Sequence, residues 1–127
     1  MNSSIQVNGI NITIAAREVY KDNEKYEIKI SNKTDKTILI DTGKKSNSIT
    51  LTASNGVEYN SNMREIASIL RSINSRYTKT IKLKFNKIYS VKADPQGITF
   101  TDIVPDYEKY KQKPSETKER IKISVSM

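Results

Sequence analysis

Short segments in which apolar and polar residues alternate constrain the fold of this chain more than any other feature. The alternation is clearest at residues 10–14, 26–30, 49–53, 81–85, 98–100 and 121–125. A period of two places the apolar side chains of a strand on one face. Asn8-Gly9 and Asn55-Gly56 separate such segments, and Asn-Gly favours a tight hairpin because both residues accept positive φ. The sequence therefore predicts antiparallel strands, each with one face toward a core.

The number and spacing of these segments predict the fold class. A chain of 127 residues has the usual size of one domain, so we expect a single domain over 1–127. About eight short antiparallel strands separated by turns are typical of an immunoglobulin-like β-sandwich. Ala15-Ala16 interrupts the alternation of the second strand, which predicts a β-bulge or a bend there.

One segment departs from the strand pattern. After Tyr59 the apolar residues recur at three- or four-residue intervals, at Met63, Ile66, Leu70 and Ile73. This spacing predicts one helix, inserted between strands over about 62–74. Asn62, followed three residues later by Glu65, has the form of a capping box at its start.

Four segments also carry a resemblance to a known family. They are residues 9–14, the strand and polar loop at 26–35, the Asn-Gly turn and Tyr59 within 51–59, and the strand with Leu83 and Phe85 at 81–86. In this order they resemble the DUF4352-like immunoglobulin-like domains of exported proteins and lipoproteins of Gram-positive bacteria. The resemblance implies an extracytoplasmic, non-enzymatic domain whose ligand is undetermined.

The residues that the chain lacks exclude several kinds of chemistry. Without Cys and His there is no disulfide framework, no thiol nucleophile, no Ser-His-Asp triad and no zinc site of the usual kind. The chain is therefore predicted not to be an enzyme and to need no cofactor or metal. An enzyme that uses carboxylates, Lys or Tyr remains an alternative, with Asp102, Asp106 and Glu108 as candidates. Solvated carboxylates that balance nearby lysines are the favoured interpretation of these three.

The formal net charge of +8 favours a polyanionic partner. Arg64 and Arg71 would share one face of the predicted helix, and Lys82 and Lys84 share one face of a strand. The candidate binding surface comprises Arg64, Arg71, Arg76, Lys82, Lys84, Tyr107 and Tyr110. Each group also has a structural interpretation: a solvated helix face, lysines that protect an edge strand, and tyrosines that pack over one end of the sandwich.

Three functions remain open at this stage, and the enzyme that uses carboxylates, Lys or Tyr ranks last of them. The first is a non-catalytic, extracytoplasmic binding or assembly domain of a bacterial surface protein or lipoprotein, with a protein or an anionic cell-envelope polymer as partner. The alternative is a basic nucleic-acid-binding β-domain. No run of residues has the length of a transmembrane helix, and Met1 to Ser4 lack the apolar region of a signal peptide. We expect an extracellular or cell-surface location after removal of an export segment, with the cytoplasm as the alternative.

Overall fold

The computed structural model describes residues 3–41, 48–60, 72–86 and 94–127. Ten strands lie within these ranges: β1 Ser3–Val7, β2 Ile10–Val19, β3 Asn23–Asn32, β4 Ile38–Ile40, β5 Ile49–Ala53, β6 Glu58–Asn60, β7 Ser72–Ile73, β8 Thr78–Asn86, β9 Pro95–Val104 and β10 Ile121–Ser126. The described residues also include one α-helix, α1, at Tyr107–Gln112, which is followed by a 3-10 turn at Pro114–Glu116. In the described part of the chain, no helix is long and apolar enough to cross a membrane.

The strands form two antiparallel sheets. The front sheet has the order β1-β2-β3-β8, and the back sheet has the order β6-β5-β9-β4-β7, with β10 also paired to β9. Strand β9 is the centre of the back sheet: its Phe100 lies opposite Ile49 of β5 on one side and Ile123 of β10 on the other. The predicted fold class, an all-β sandwich of the immunoglobulin-like kind, is confirmed.

Inward-facing side chains of both sheets form one core. Isoleucines supply most of it, and the rings of Tyr26 and Phe85 meet edge to face with centroids 5.8 Å apart. Each large apolar side chain that becomes fully buried contributes roughly 1.5–3 kcal/mol to folding. The alternation seen in the sequence therefore has a direct energetic consequence, because it selects the buried face of each strand.

Both Asn-Gly turns and the bulge lie where the sequence predicts them. Asn8 and Gly9 have φ of +50° and +78°, and they join β1 to β2 in a two-residue hairpin. Gly56, with φ of +82°, lies in the turn between β5 and β6. In the pairing of β2 with β3, Ile14 lies opposite Ile28 and Ala16 opposite Glu27, so Ala15 is the extra residue.

The predicted helix over about 62–74 is in part outside the described residues and in part wrong. Residues 61–71 are outside them. Ser72 and Ile73 are not helical, because they form β7 and pair with Leu39 and Ile38 of β4. The Ile73 side chain is buried in the core of the sandwich. Its apolar character therefore reflects an inward-facing strand position and not the apolar face of a helix. Helix α1, at Tyr107–Gln112, was not predicted as a helix.

Gly97 provides a test of the central strand pairing. A Cβ at this position would lie 2.8 Å from the carbonyl oxygen of Val125 in β10, which the β9–β10 ladder holds in place. Gly97→Ala is expected to lower the free energy of unfolding by about 2 kcal/mol, measured by urea unfolding. The control Gln96→Ala, at an exposed position of the same strand, is expected to change it by no more than about 0.5 kcal/mol. Equal losses in the two variants would contradict the steric explanation.

Candidate functional site

The outer face of the front sheet brings four lysines together. Lys25 and Lys29 lie on β3, and Lys82 and Lys84 lie on β8; we call these four residues the lysine face. They share a face because each strand alternates, with its apolar residues directed into the core. In the register of β3 with β8, Lys25 lies directly opposite Lys84, and Glu27 lies opposite Lys82.

The pairing of Lys25 with Lys84 is electrostatically unfavourable. Like charges directly opposite each other across two strands are destabilising. Four ion pairs occur within the described ranges, and none of them includes a residue of the lysine face. Among the described residues, no carboxylate is therefore in ion-pair contact with any of these four ammonium groups.

A depression of about 200 Å³ lies beside the lysine face, and charged side chains of both signs form its lining. The bulge at Ala15 creates it, because beyond the bulge Ala16 faces outward, opposite Glu27, with only a methyl group as side chain. Glu18, Lys25, Glu27 and Lys82 surround the space above Ala16. The position thus combines local concavity with two carboxylates and two ammonium groups.

These opposite charges face each other without forming ion pairs. Glu18 lies opposite Lys25, and Glu27 lies opposite Lys82, yet neither pair comes within 4.0 Å. The Tyr20 hydroxyl instead donates to the Glu18 carboxylate at 2.6 Å, and Lys25 Nζ lies 5.5 Å from the centroid of the Tyr20 ring. The hydrogen bond to Glu18 raises the pKa of the Tyr20 phenol. Glu18 and Lys25 thus contact Tyr20, whereas Glu27 and Lys82 form no ion pair with another described residue.

The remaining predicted site residues lie elsewhere. Arg64 and Arg71 are outside the described residues. Arg76 lies in the turn before β8 with φ of +68°, and its guanidinium donates to the carbonyl oxygen of Lys33 at 2.6 Å. This contact gives the Arg76 side chain a structural role at one end of the sandwich, away from the face that carries Lys82 and Lys84.

Tyr107 and Tyr110 form a stacked pair on α1. Their ring centroids are 6.4 Å apart with an angle of 28° between the planes, and both residues are half-buried. Lys111 Nζ lies 5.1 Å from the centroid of Tyr107, and the Arg120 guanidinium lies 5.1 Å from that of Tyr110. Each ring is thus covered by its neighbour and by a cation, which is the arrangement expected of packing rather than of a platform for a ligand.

Two of the three candidate carboxylates, Asp106 and Glu108, have structural partners. Asp106 caps α1, since its Oδ1 accepts from the backbone N–H of Lys109 at 3.2 Å, and its other oxygen lies 3.7 Å from Lys36 Nζ. Glu108 pairs with Lys111 at 3.2 Å. Within the described ranges, no group of three or more acidic side chains converges in a way that could hold a metal ion.

Sequence reasoning missed half of the lysine face and all of the depression's carboxylates. Lys25, Glu27 and Lys29 follow each other at spacings of two on one strand, so their shared face could be read from the sequence. Their proximity to Lys82 and Lys84 could not, because it depends on the pairing of β3 with a strand more than fifty residues later.

Comparisons with known proteins add information on the fold. No protein-family model matches the chain, and no curated protein matches it. The crystal structure of the yjhA protein from Bacillus subtilis is similar, with a TM-score of 0.58 over 98% of this chain and 95% of that chain. The two sequences are 13% identical, so the likeness concerns the fold alone.

Proposed function

We propose that this chain is a non-catalytic binding or assembly domain of a bacterial surface protein or lipoprotein, and that its lysine face binds an anionic cell-envelope polymer. The observation that carries the proposal is the direct opposition of Lys25 and Lys84, with Lys82 and Lys29 beside them and no carboxylate of the described residues in ion-pair contact. The direct opposition of Lys25 and Lys84 is unfavourable for folding, since like charges repel. An anionic partner would reverse the sign of this contribution.

The spacing of the lysines suits a chain of repeated negative charges. Residues two apart on a strand are separated by about 6.6 Å along it, so Lys84 and Lys82 present two cations at that interval. On the neighbouring strand β3, Lys29 lies opposite Thr80, which is the next outward-facing position of β8 after Lys82. Lys29 thereby continues the row of cations. A polymer with a phosphate in each short repeat can contact these lysines in sequence, and it releases bound counterions when it does so.

The surface also favours an envelope polymer over the alternative, a single-stranded nucleic acid. Domains that bind single strands combine a basic groove with aromatic rings on which bases stack. Among the described residues, the exposed rings beside this face are Tyr20, one side of which Lys25 covers, and Tyr77, and the two lie at opposite ends of β3. The proposed location outside the cytoplasm is supported by the sequence resemblance described above.

Neutralising the lysine face is the direct test. The variant Lys25→Gln, Lys29→Gln, Lys82→Gln and Lys84→Gln is expected to bind fluorescent poly(glycerol phosphate) at least about tenfold more weakly, measured by anisotropy. The slope of log affinity against log salt concentration should also decrease, by up to about 3 for four lost phosphate contacts. The expected loss follows from the number of contacts and not from a change of fold.

A matched control separates the face from the overall charge. Lys109, Lys113, Lys118 and Lys122 are exposed and lie on α1, the segment after it or β10, so their replacement by Gln lowers the net charge of +8 by the same four units. This control variant is expected to keep most of the affinity. Equal losses in the two variants would overturn the proposal. Tighter binding of single-stranded DNA of equal charge would support the nucleic-acid alternative instead.

A further inference from the structure

The depression over Ala16 has a charge pattern that the lysine face alone does not explain. Glu18 and Glu27 are diagonal neighbours on β2 and β3, and Lys25 and Lys82 are diagonal neighbours on β3 and β8. Diagonal neighbours of this kind are about 7–8 Å apart, a separation at which one charged group can lie between two side chains. The two carboxylates can thus hold one cation between them, and the two ammonium groups can hold one anion.

The two positions have a defined separation. The midpoint between Glu18 and Glu27 lies over the gap between β2 and β3, and the midpoint between Lys25 and Lys82 lies over the gap between β3 and β8. Neighbouring strands are about 4.8 Å apart, so the two charges of a ligand should be about 5 Å apart. Lys84, directly opposite Lys25, strengthens the anionic position.

We infer that this depression binds a zwitterionic group in which an ammonium and a phosphate are joined by a short linker, as in a 2-aminoethyl phosphate. The inference rests on the proposed function, because such groups would be substituents of the anionic polymer that the lysine face binds. A space of about 200 Å³ corresponds to about seven water molecules, enough for such a group of about eight non-hydrogen atoms. An α-amino acid, whose charges are closer together, matches the spacing less well.

The opposite charges on the rim do not neutralise each other through ion pairs among the described residues, which favours a ligand between them. Glu18 is directed to the Tyr20 hydroxyl and Lys25 to the Tyr20 ring, so the opposed pair does not close on itself. Ala16 is exposed and contributes no side chain that could fill the space between the carboxylates. A bulge that leaves a small residue facing a charged rim is an arrangement often found beside functional sites.

Titration of the isotopically labelled chain with O-phosphoethanolamine, followed by amide NMR shifts, tests the inference. We expect shifts centred on Ala16, Glu18 and Glu27. The affinity for O-phosphoethanolamine should be about fivefold higher than that for methyl phosphate, because its ammonium adds one partly exposed charge pair. Ethanolamine, which lacks the anion, and glycine, whose two charges are closer together, should bind more weakly than O-phosphoethanolamine. Equal affinity for methyl phosphate and O-phosphoethanolamine would overturn the inference.

Variants locate the effect. Ala16→Leu should fill the depression and abolish the preference for O-phosphoethanolamine, and Glu27→Gln should reduce it to nearly none. The matched control Glu58→Gln removes an exposed carboxylate from β6 in the back sheet and should leave the preference unchanged. A preference that survives in both Ala16→Leu and Glu27→Gln would show that the ligand binds elsewhere and would overturn the assignment.

The outcomes also separate this inference from the proposed function. If the lysine face binds poly(glycerol phosphate) but the depression shows no preference for the zwitterion, the inference fails and the proposed function stands. If the zwitterion binds at Ala16 while the polymer shows no dependence on the lysine face, the proposed function fails. Lys29→Gln distinguishes the two proposals, because Lys29 belongs to the lysine face but not to the lining of the depression. This variant should weaken binding of the polymer and leave the preference for O-phosphoethanolamine unchanged.

Discussion

Replacement of Asn32 by leucine is expected to lower the free energy of unfolding by about 3–4 kcal/mol. The Asn32 side chain is buried and uses all of its hydrogen-bonding capacity. Its Nδ2 donates to the carbonyl oxygens of Lys36 at 2.8 Å and Ile73 at 2.9 Å, and its Oδ1 accepts from the backbone N–H of Thr34 at 3.0 Å and from the Thr34 hydroxyl at 2.6 Å. Leucine has a similar volume but would leave the carbonyl oxygen of Ile73 and the backbone N–H of Thr34 without this partner, which is costly in a buried position.

The backbone of Asn32 extends the effect to the neighbouring turn. Its N–H donates to the carbonyl oxygen of Tyr77, and its carbonyl oxygen accepts from the N–H of Arg76. One residue thereby connects the end of β3, the loop to β4, and the turn in which Arg76 has positive φ. We expect faster amide hydrogen exchange at Thr34 and Arg76 in the variant, in addition to the shift of the urea midpoint.

Two further substitutions separate hydrogen bonding from shape. Asn32→Asp keeps the shape but directs a carboxylate at two carbonyl oxygens, so it should also destabilise the chain. Ser31→Ala, at the neighbouring half-buried position, removes a 2.8 Å contact with the Thr78 hydroxyl and is expected to cost no more than about 0.5 kcal/mol. If Asn32→Leu costs as little as Ser31→Ala, the proposed network does not stabilise the fold.

The parts of the fold that depend on local sequence could be predicted. A period of two defines β2, β3, β8 and β10, because each has one buried face, and positive φ at Asn8 and Gly9 defines the first hairpin. Strand β7 could not be predicted, because two residues carry no period. Its position depends on pairing with β4 and on the contact of Asn32 with Ile73, which are distant in sequence. Helix α1 has no buried residue and hence no apolar stripe to reveal it.

The candidate site shows the same division. Lys82 and Lys84 could be placed on one strand face from their spacing, whereas their proximity to Lys25 and Glu27 follows from a register between distant strands. The bulge adds a second effect. Without the extra residue at Ala15, simple alternation from Ile14 would direct Glu18 toward the core and Arg17 toward solvent. The bulge reverses both directions, so it creates the depression and also places a charge inside the sandwich.

The buried ion pair that results should be strongly coupled, and Glu24→Ala is expected to cost about 2–3 kcal/mol. Beyond the bulge, Arg17 lies opposite Tyr26, and its Nε donates to Glu24 Oε1 at 2.8 Å. The Glu24 side chain is 7% exposed and that of Arg17 is 29% exposed, so solvent screens the pair only in part and the estimate stays below that for a fully buried pair. The Tyr26 hydroxyl lies 3.4 Å from the same carboxylate oxygen, and burial, reinforced by this carboxylate, raises the pKa of that phenol.

A double-mutant cycle measures this coupling by urea unfolding. Glu24→Ala alone leaves Arg17 without its carboxylate on the inward face, and Arg17→Met alone leaves Glu24 as an uncompensated charge in a nearly closed site. The double variant Arg17→Met and Glu24→Leu removes both charges and restores apolar contacts, so it should recover most of the loss caused by either single change. Glu58→Ala, on the exposed side of β6, is the control and should change the stability by no more than about 0.5 kcal/mol. Strictly additive losses in the cycle would mean that the two side chains act independently, and that the inward turn of Arg17 at the bulge contributes nothing to the fold.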